Sequence, residues 1–176
     1  MSKDFFAKLP KVASFKVTSK DVKDGGAFAL SQYSGIFGIE GGKDISPQLS
    51  WSGAPEGTKS FAVTIYDLDA PTGAGFWHWV IANIPANVTE LETGAGEADS
   101  IALPKGAFQL PNDARDARYI GAAPPAGHGQ HTYVIVVYAL DVEDIDIPAD
   151  STPTFLGFNM GGHTLARAVM TATAEL

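Results

Sequence analysis

The chain reads as a mostly β protein, and three features carry that reading. Phe61–Tyr66, Phe76–Ala82 and His131–Leu140 are runs of β-branched and aromatic residues at strand length. Glycine and proline, at 19 and 11 of 176 residues, are frequent enough to punctuate many short elements and suit a loop-rich β protein better than a helical bundle. Residues 88–120 show no sustained period, which marks a long functional loop inside one domain. With 45% hydrophobic residues and neither internal repeats nor a linker, residues 1–176 are expected to form a single domain around one ample core.

Taken in order, Ser14–Thr18 alternates apolar and polar side chains, as a half-buried strand does. Residues 25–44 are glycine-rich and favour turns and short edge strands. Leu49 and Trp51 then share one face of a strand and read as core. Phe61–Tyr66 and Phe76–Ala82 form a hairpin whose connection, Asp-Ala-Pro-Thr-Gly-Ala-Gly, is stiffened by proline. Strict alternation predicts that His78 faces away from both Trp77 and Trp79. Asn83–Asn87 turns the chain. His131–Leu140 places His131, Tyr133, Ile135 and Val137 on one face. Thr152-Pro153 is an N-cap followed by proline at the first helical position, and Phe155, Phe158, Leu165 and Val169 recur at roughly helical spacing. Gly161-Gly162 threatens that helix, and Val169–Thr173 has the composition of a short terminal strand.

Composition excludes several classes. A formal charge of −8 repels polyanions, so nucleic acid and anionic membrane surfaces are not expected partners. The absence of cysteine excludes disulfides and thiol chemistry. The opening ten residues lack the apolar run of a signal peptide, and the longest strongly apolar stretch, Tyr133–Leu140, is too short to span a bilayer as a helix. The expectation is a soluble, cytoplasmic protein with no transmembrane segment.

Chemistry can come from Asp67, Asp69, His78, His128 and His131, which cluster in two segments rich in strand and turn signals; His163 reads as a helix residue. Three uses are open. An apolar strand ending in Asp-x-Asp opens aspartyl phosphatases, but Pro71 and a following Trp-rich strand depart from that pattern. A metal site could draw on His78, His128, His131 and a carboxylate, although His-x-x-His at a loop-to-strand junction does not share a face as it would on a helix. An anion pocket needs only imidazoles and backbone N–H groups, with a carboxylate fixing a histidine's tautomer or charge. The last is favoured because no activated nucleophile is visible, neither a Gly-x-Ser-x-Gly elbow nor a cysteine.

Ser46-Pro-x-Leu-x-Trp51, Asp67-x-Asp-Ala-Pro71, Trp77-His-Trp-Val-x-x-Asn-Ile-Pro85 and Pro124-Pro-x-Gly-His-Gly-x-His-x-Tyr133 resemble, in that order, the motifs of the phosphatidylethanolamine-binding protein family, and more closely its bacterial Raf-kinase-inhibitor-like branch. The resemblance implies a central antiparallel sheet, a second smaller sheet and a few peripheral helices. It also implies a small pocket for phosphate-like anions or a phospholipid head group, with Asp67, Asp69, Pro71 and His78 in its first two motifs. Gly121, Pro124 and Pro125 match the far wall; His131 and Tyr133 match the second histidine and its tyrosine; His128 fits the Gly-His-Gly version of the bacterial branch. Thr132 stands where arginine is common, Gly121-Ala-Ala lacks a frequent proline at its second place, and Ala174 aligns with a tyrosine over the pocket mouth, which together imply a more open, less basic pocket. The implied function is non-enzymatic binding, with no cofactor, a kinase or protease as a partner to be modulated, and a homodimer as an allowed assembly. The alternative is a metal-dependent or phosphoester-hydrolysing enzyme that uses the Asp/His cluster.

Overall fold

The computed structural model describes residues 4–176. In chain order its elements are β1 (Ala13–Ser14), β2 (Lys16–Thr18), β3 (Gly26–Ala27), β4 (Leu49–Ser52), β5 (Ser60–Asp67), β6 (Phe76–Pro85), β7 (Glu90–Leu91), β8 (Phe108–Gln109), β9 (His131–Leu140), α1 (Pro153–Met160) and β10 (Thr164–Ala174). A 3-10 turn at Leu30–Gln32 lies between β3 and β4. The main sheet runs β10-β9-β5-β6-β8 in antiparallel order, and β1 and β3 both add to the outer edge of β10 in parallel, so the sheet is mixed at that edge. β2, β4 and β7 make the smaller antiparallel sheet. The mostly β architecture of two sheets is the one expected; among the described residues α1 is the sole α-helix.

β5 and β9 read as largely apolar runs because both of their faces are covered. On one face, Val63, Ile65, Tyr133, Ile135 and Val137 pack against Leu49, Trp51 and Leu91 of the small sheet. On the other, Val134, Val136, Tyr138 and Leu140 pack against Leu156 and Met160 of α1, with Leu110 and Ile145. Each fully buried side chain of this size contributes roughly 1.5–3 kcal/mol, which makes these two strands the fixed frame on which the site is hung.

β6 departs from the expected alternation. Ile65 pairs with Trp79 and Tyr66 with Trp77, so His78 is the extra residue of a β-bulge. Trp79 packs in the cluster with Ile65 and Tyr133, whereas Trp77 packs on the opposite face. His78, 5.1 Å from the Tyr133 ring, therefore shares a face with Trp79 and opposes only Trp77. A second irregularity lies at Asn83, where φ is 58° and the side chain clips both the N–H and the carbonyl of Ile145. That clip carries β6 on to Pro85, past the turn expected at Asn83.

The C-terminal third corrects the helix expected beyond Gly162. Thr152 caps α1, accepting from Phe155 N at 3.2 Å, with Pro153 in the first turn as expected. The helix ends at Met160, and Leu165 and Val169 belong to β10, which pairs with β9 from Thr164↔Leu140 to Ala174↔His131. The buried face of β10 is Ala166, Ala168, Met170, Ala172 and Ala174, a period of two written mostly in small residues. Spacing counted on large apolar side chains overlooks it. His163 lies in the turn before β10 and not in a helix, and its Nδ1 bonds Asp141 Oδ1 at 2.8 Å.

Candidate functional site

The strand order β9-β5-β6 puts the start of β9, the end of β5 and the start of β6 at one end of the sheet, so His131, Asp67 and His78 converge there. Asp67 pairs with Tyr133 across one ladder and with Phe76 across the other. Its side chain is buried and used by both oxygens: Oδ1 accepts from Asp69 N at 2.8 Å and Ala70 N at 3.2 Å, and Oδ2 accepts from His131 Nδ1 at 2.7 Å. Asp67 thus folds the loop 68–75 back over the strand end and fixes the orientation of His131. The Tyr66 hydroxyl donates to Ala74 O, and Thr72 bonds within the same loop, closing it on itself.

Beneath this loop lies a pocket of about 140 Å³. Asp67, His78 and His131 form its polar wall, Ala70–Thr72 its lip, Ala123 and Pro125 its far side, and Phe37 and Phe76 an aromatic flank. His78 is buried, and its Nδ1 lies 2.8 Å from Ile120 O. A carbonyl only accepts, so Nδ1 carries the proton and Nε2 is left for the pocket. Burial pushes the imidazole below its ordinary range, against the opposing pull of the Ile120 carbonyl and of Asp67 and Asp113, so His78 is neutral at pH 7 and presents a lone pair.

His131 is held differently. Its Nε2 lies 2.7 Å from Nδ1 of His128, so both of its ring nitrogens are occupied by protein. One proton fits between the two rings. His128 belongs to a second, more open depression of about 620 Å³, which it lines together with Asp69, Tyr66, Phe5 and the glycines of the loop; Ala70 and Pro71 form the wall between the two hollows. Asp69 Oδ2 accepts from Thr132 N at 2.8 Å and continues the β5–β9 pairing beyond Asp67.

Of the residues singled out in the sequence, Asp67, Pro71, His78, Pro125 and His131 line the inner pocket, and Asp69, Pro71 and His128 the outer one. Gly121, Pro124 and Tyr133 stand behind the wall. Gly121 donates to Asp44 Oδ1 at 2.8 Å, and a Cβ there would fall 2.5 Å from Ser34 N, so close packing of two backbones explains this glycine. Pro124 is buried. Tyr133 packs its ring on His78 and Phe28, and burial of its hydroxyl beside Asp67 drives its phenol far above the ordinary range. Ala174, paired with His131, points into the core.

Sequence reasoning missed Phe37, Phe76 and Ala123 as walls, and Ile120 and Asp44 as supports. Asp44 left a signal: an acidic residue closing a glycine-rich segment, with φ at 53°, whose carboxylate gathers Ile36 N and Gly121 N. The segment 88–120, expected as a functional loop, is largely structural: Leu91, Leu110, Tyr119 and Ile120 are buried, and it contributes β7, β8 and the carbonyl that holds His78. The metal reading loses its donors, because His128 and His131 are turned on each other, and no group of three or more ligating side chains among the described residues is placed to hold a metal ion. Asp67 spends both oxygens as hydrogen-bond acceptors, Oδ1 from Asp69 N and Oδ2 from His131 Nδ1.

A two-sheet β fold with a small His/Asp pocket at its strand ends defines a small-ligand binding architecture. Residues 18–175 match the family model for phosphatidylethanolamine-binding protein, and the chain belongs to that family. The UPF0098 protein YbcL of Escherichia coli K12 is 46% identical over 166 residues, covering 94% of this chain and 90% of its own. YbhB from the same organism is 43% identical over 157 residues, covering 89% of this chain and 98% of its own. The crystal structure of E. coli YbcL superposes with a TM-score of 0.89 over 93% of this chain and 99% of that one. CT736 of Chlamydia trachomatis, a phosphatidylethanolamine-binding protein homologue at 28% identity, gives 0.77 over 93% of this chain and 98% of its own. Membership of this family supports a binding role. No helix among the described residues is long and apolar enough to cross a membrane.

Proposed function

We propose that the inner pocket binds a small phosphate-like anion, free or as the head group of a phospholipid or phosphomonoester, and does not turn it over. The observation that carries this reading is His78: its Nδ1 is anchored to Ile120 O, and its ring lines a pocket walled by Asp67 and His131. A neutral His78 accepts a hydrogen bond, so at neutral pH the pocket suits an anion that brings its own hydroxyl, as a singly protonated phosphate does. An anion with no proton to give can use His78 only after the ring is protonated, which burial opposes. The pocket, at about 140 Å³, has room for a head group and not for an acyl chain.

Calorimetric titration with phosphate and with sulfate at about pH 5.5, 7 and 8.5 tests this, the range being chosen to bracket imidazole titration. Phosphate is expected to bind at the middle value, sulfate only toward the lowest, and His78→Phe is expected to lose both. Phosphate binding that survives His78→Phe would remove the basis of the proposal. Release of phosphate from a phosphomonoester, abolished by Asp67→Asn, would replace binding with hydrolysis.

A further inference from the structure

We propose a second binding site, for an amphipathic carboxylate with a short acyl or aryl tail, on the face of the main sheet opposite the Asp/His pocket. There the N-terminal segment, α1 and β10 enclose a groove of about 410 Å³, within the range of small-molecule sites. Trp77, Tyr138, Met160, Phe158 and Leu9 give it an apolar lining. Phe158 is 81% exposed, stacked on Phe155 at the groove's edge. The charges on its lining are Lys8 and Arg167, both cationic, and no carboxylate lines it. In a chain with 20 acidic and 12 basic residues that sign is the reverse of the average surface.

Arg167 is set in place with most of its donors unspent. Its guanidinium lies over the rings of Phe6 at 5.4 Å and Tyr138 at 5.9 Å, and among the described residues it makes one hydrogen bond, from Nη1 to Pro10 O at 3.1 Å. Neither Arg167 nor Lys8 has an ion-pair partner among the described residues, and Arg167 Nε is buried without an acceptor. The aromatic rings hold the planar fork in one orientation, so little side-chain freedom remains to be lost when a planar carboxylate docks on it. The tail then follows the apolar wall toward Met160 and Phe158, covering surface that water now wets. An apolar ligand without a charge would leave the fork unmatched, and a small anion without a tail would leave the wall bare.

Decanoate, decanol and acetate are the probes, with binding read by calorimetry and by the fluorescence of the tryptophans, one of which, Trp77, lines the groove. Decanoate is expected to bind at least tenfold more tightly than decanol or acetate. Arg167→Met is expected to abolish the margin over decanol while Arg167→Lys keeps part of it. Gly157 lines the groove with nothing within 4 Å of where a Cβ would stand, so Gly157→Phe fills the groove without disturbing the helix and is expected to stop binding. Saturating phosphate is expected to leave decanoate binding unchanged, and His78→Phe likewise, which separates this site from the inner pocket. Decanoate no tighter than decanol, or binding unaltered in both Arg167→Met and Gly157→Phe, overturns the proposal. So does retention on neutral phosphatidylcholine vesicles, lost in Phe158→Ser, in a protein that ignores decanoate, because that result makes the face a membrane contact.

Discussion

The 2.7 Å contact between His128 and His131 takes the nitrogen that His131 would otherwise offer to a ligand. His128 is exposed, so holding it there is a local balance of one hydrogen bond against side-chain freedom. A hydrogen bond of this kind contributes about 0.5–1.5 kcal/mol net. Removing it with His128→Ala frees His131 Nε2, and phosphate affinity is expected to rise by roughly two- to tenfold by that figure. An isothermal titration of the variant checks it; weakened binding would mean that His128 itself touches the anion. His78 sets a pH dependence of stability. Its folded pKa lies below the ordinary 6.5, so between those two values the unfolded chain binds more protons than the folded one. The contribution is therefore complete above about 6.5 and is lost as pH falls through that value toward the folded pKa. Melting temperatures measured from neutral to acid pH should fall less steeply in His78→Phe than in the parent protein, and added phosphate should flatten the parent's fall by stabilising the protonated ring.

Among the elements, the loop 68–75 has little backbone latitude at its end. Gly75 has φ at +71°, and a Cβ there would sit 2.6 Å from Asp67 O as well as against the Tyr66 ring. Gly75→Ala is expected to cost more than 1 kcal/mol in urea denaturation, through left-handed strain plus collision, and to weaken phosphate by displacing the lip of the pocket. Full stability in that variant would mean that the loop has a second conformation of similar energy. How much of each element was legible follows the same logic. β5 and β9 declared themselves because both faces are buried and, Thr64 apart, every position between Phe61 and Tyr66 and between Tyr133 and Leu140 is apolar or aromatic. β10 declared only its tail, Val169–Thr173, because alanines on one side and mixed residues on the other carry little contrast and two glycines obscure its start. The bulge at His78 was invisible, since alternation in sequence says nothing about where a partner strand skips a residue. Asp67, His78 and His131 could be picked out by residue type and by their Pro-Gly surroundings. Ile120 could not, because a backbone carbonyl leaves no mark in a sequence.

At the scale of the whole molecule, a net charge of −8 surrounds the pocket proposed to receive an anion. The long-range field opposes an anion's entry, and the proposed hydrogen bond to His78 acts only at contact. Screening then favours binding: raising ionic strength from about 10 to 150 mM shortens the Debye length from about 30 to 8 Å, and phosphate association should quicken or hold constant. Stopped-flow rates at the two salt concentrations decide the matter, and a marked slowing would reveal a local positive potential that the charge count hides. The inner Asp/His pocket and the groove beside α1 lie on opposite faces of the main sheet, whereas the outer hollow reaches round to the groove's own end, where Phe5 lines both and Tyr66 packs on Trp77.

The hydrogen bond from His78 to Ile120 O gives the long segment 88–120 a hold over the pocket without lending it a side chain. While that carbonyl stays in place, the ring has one tautomer and one orientation. If the segment shifts, the proton on Nδ1 loses its acceptor, the other nitrogen becomes the better place for it, and the face shown to a ligand changes from acceptor to donor. Insertions, contacts or sequence drift far along that segment can thus change the hydrogen-bonding character of the pocket while every pocket wall remains as it was.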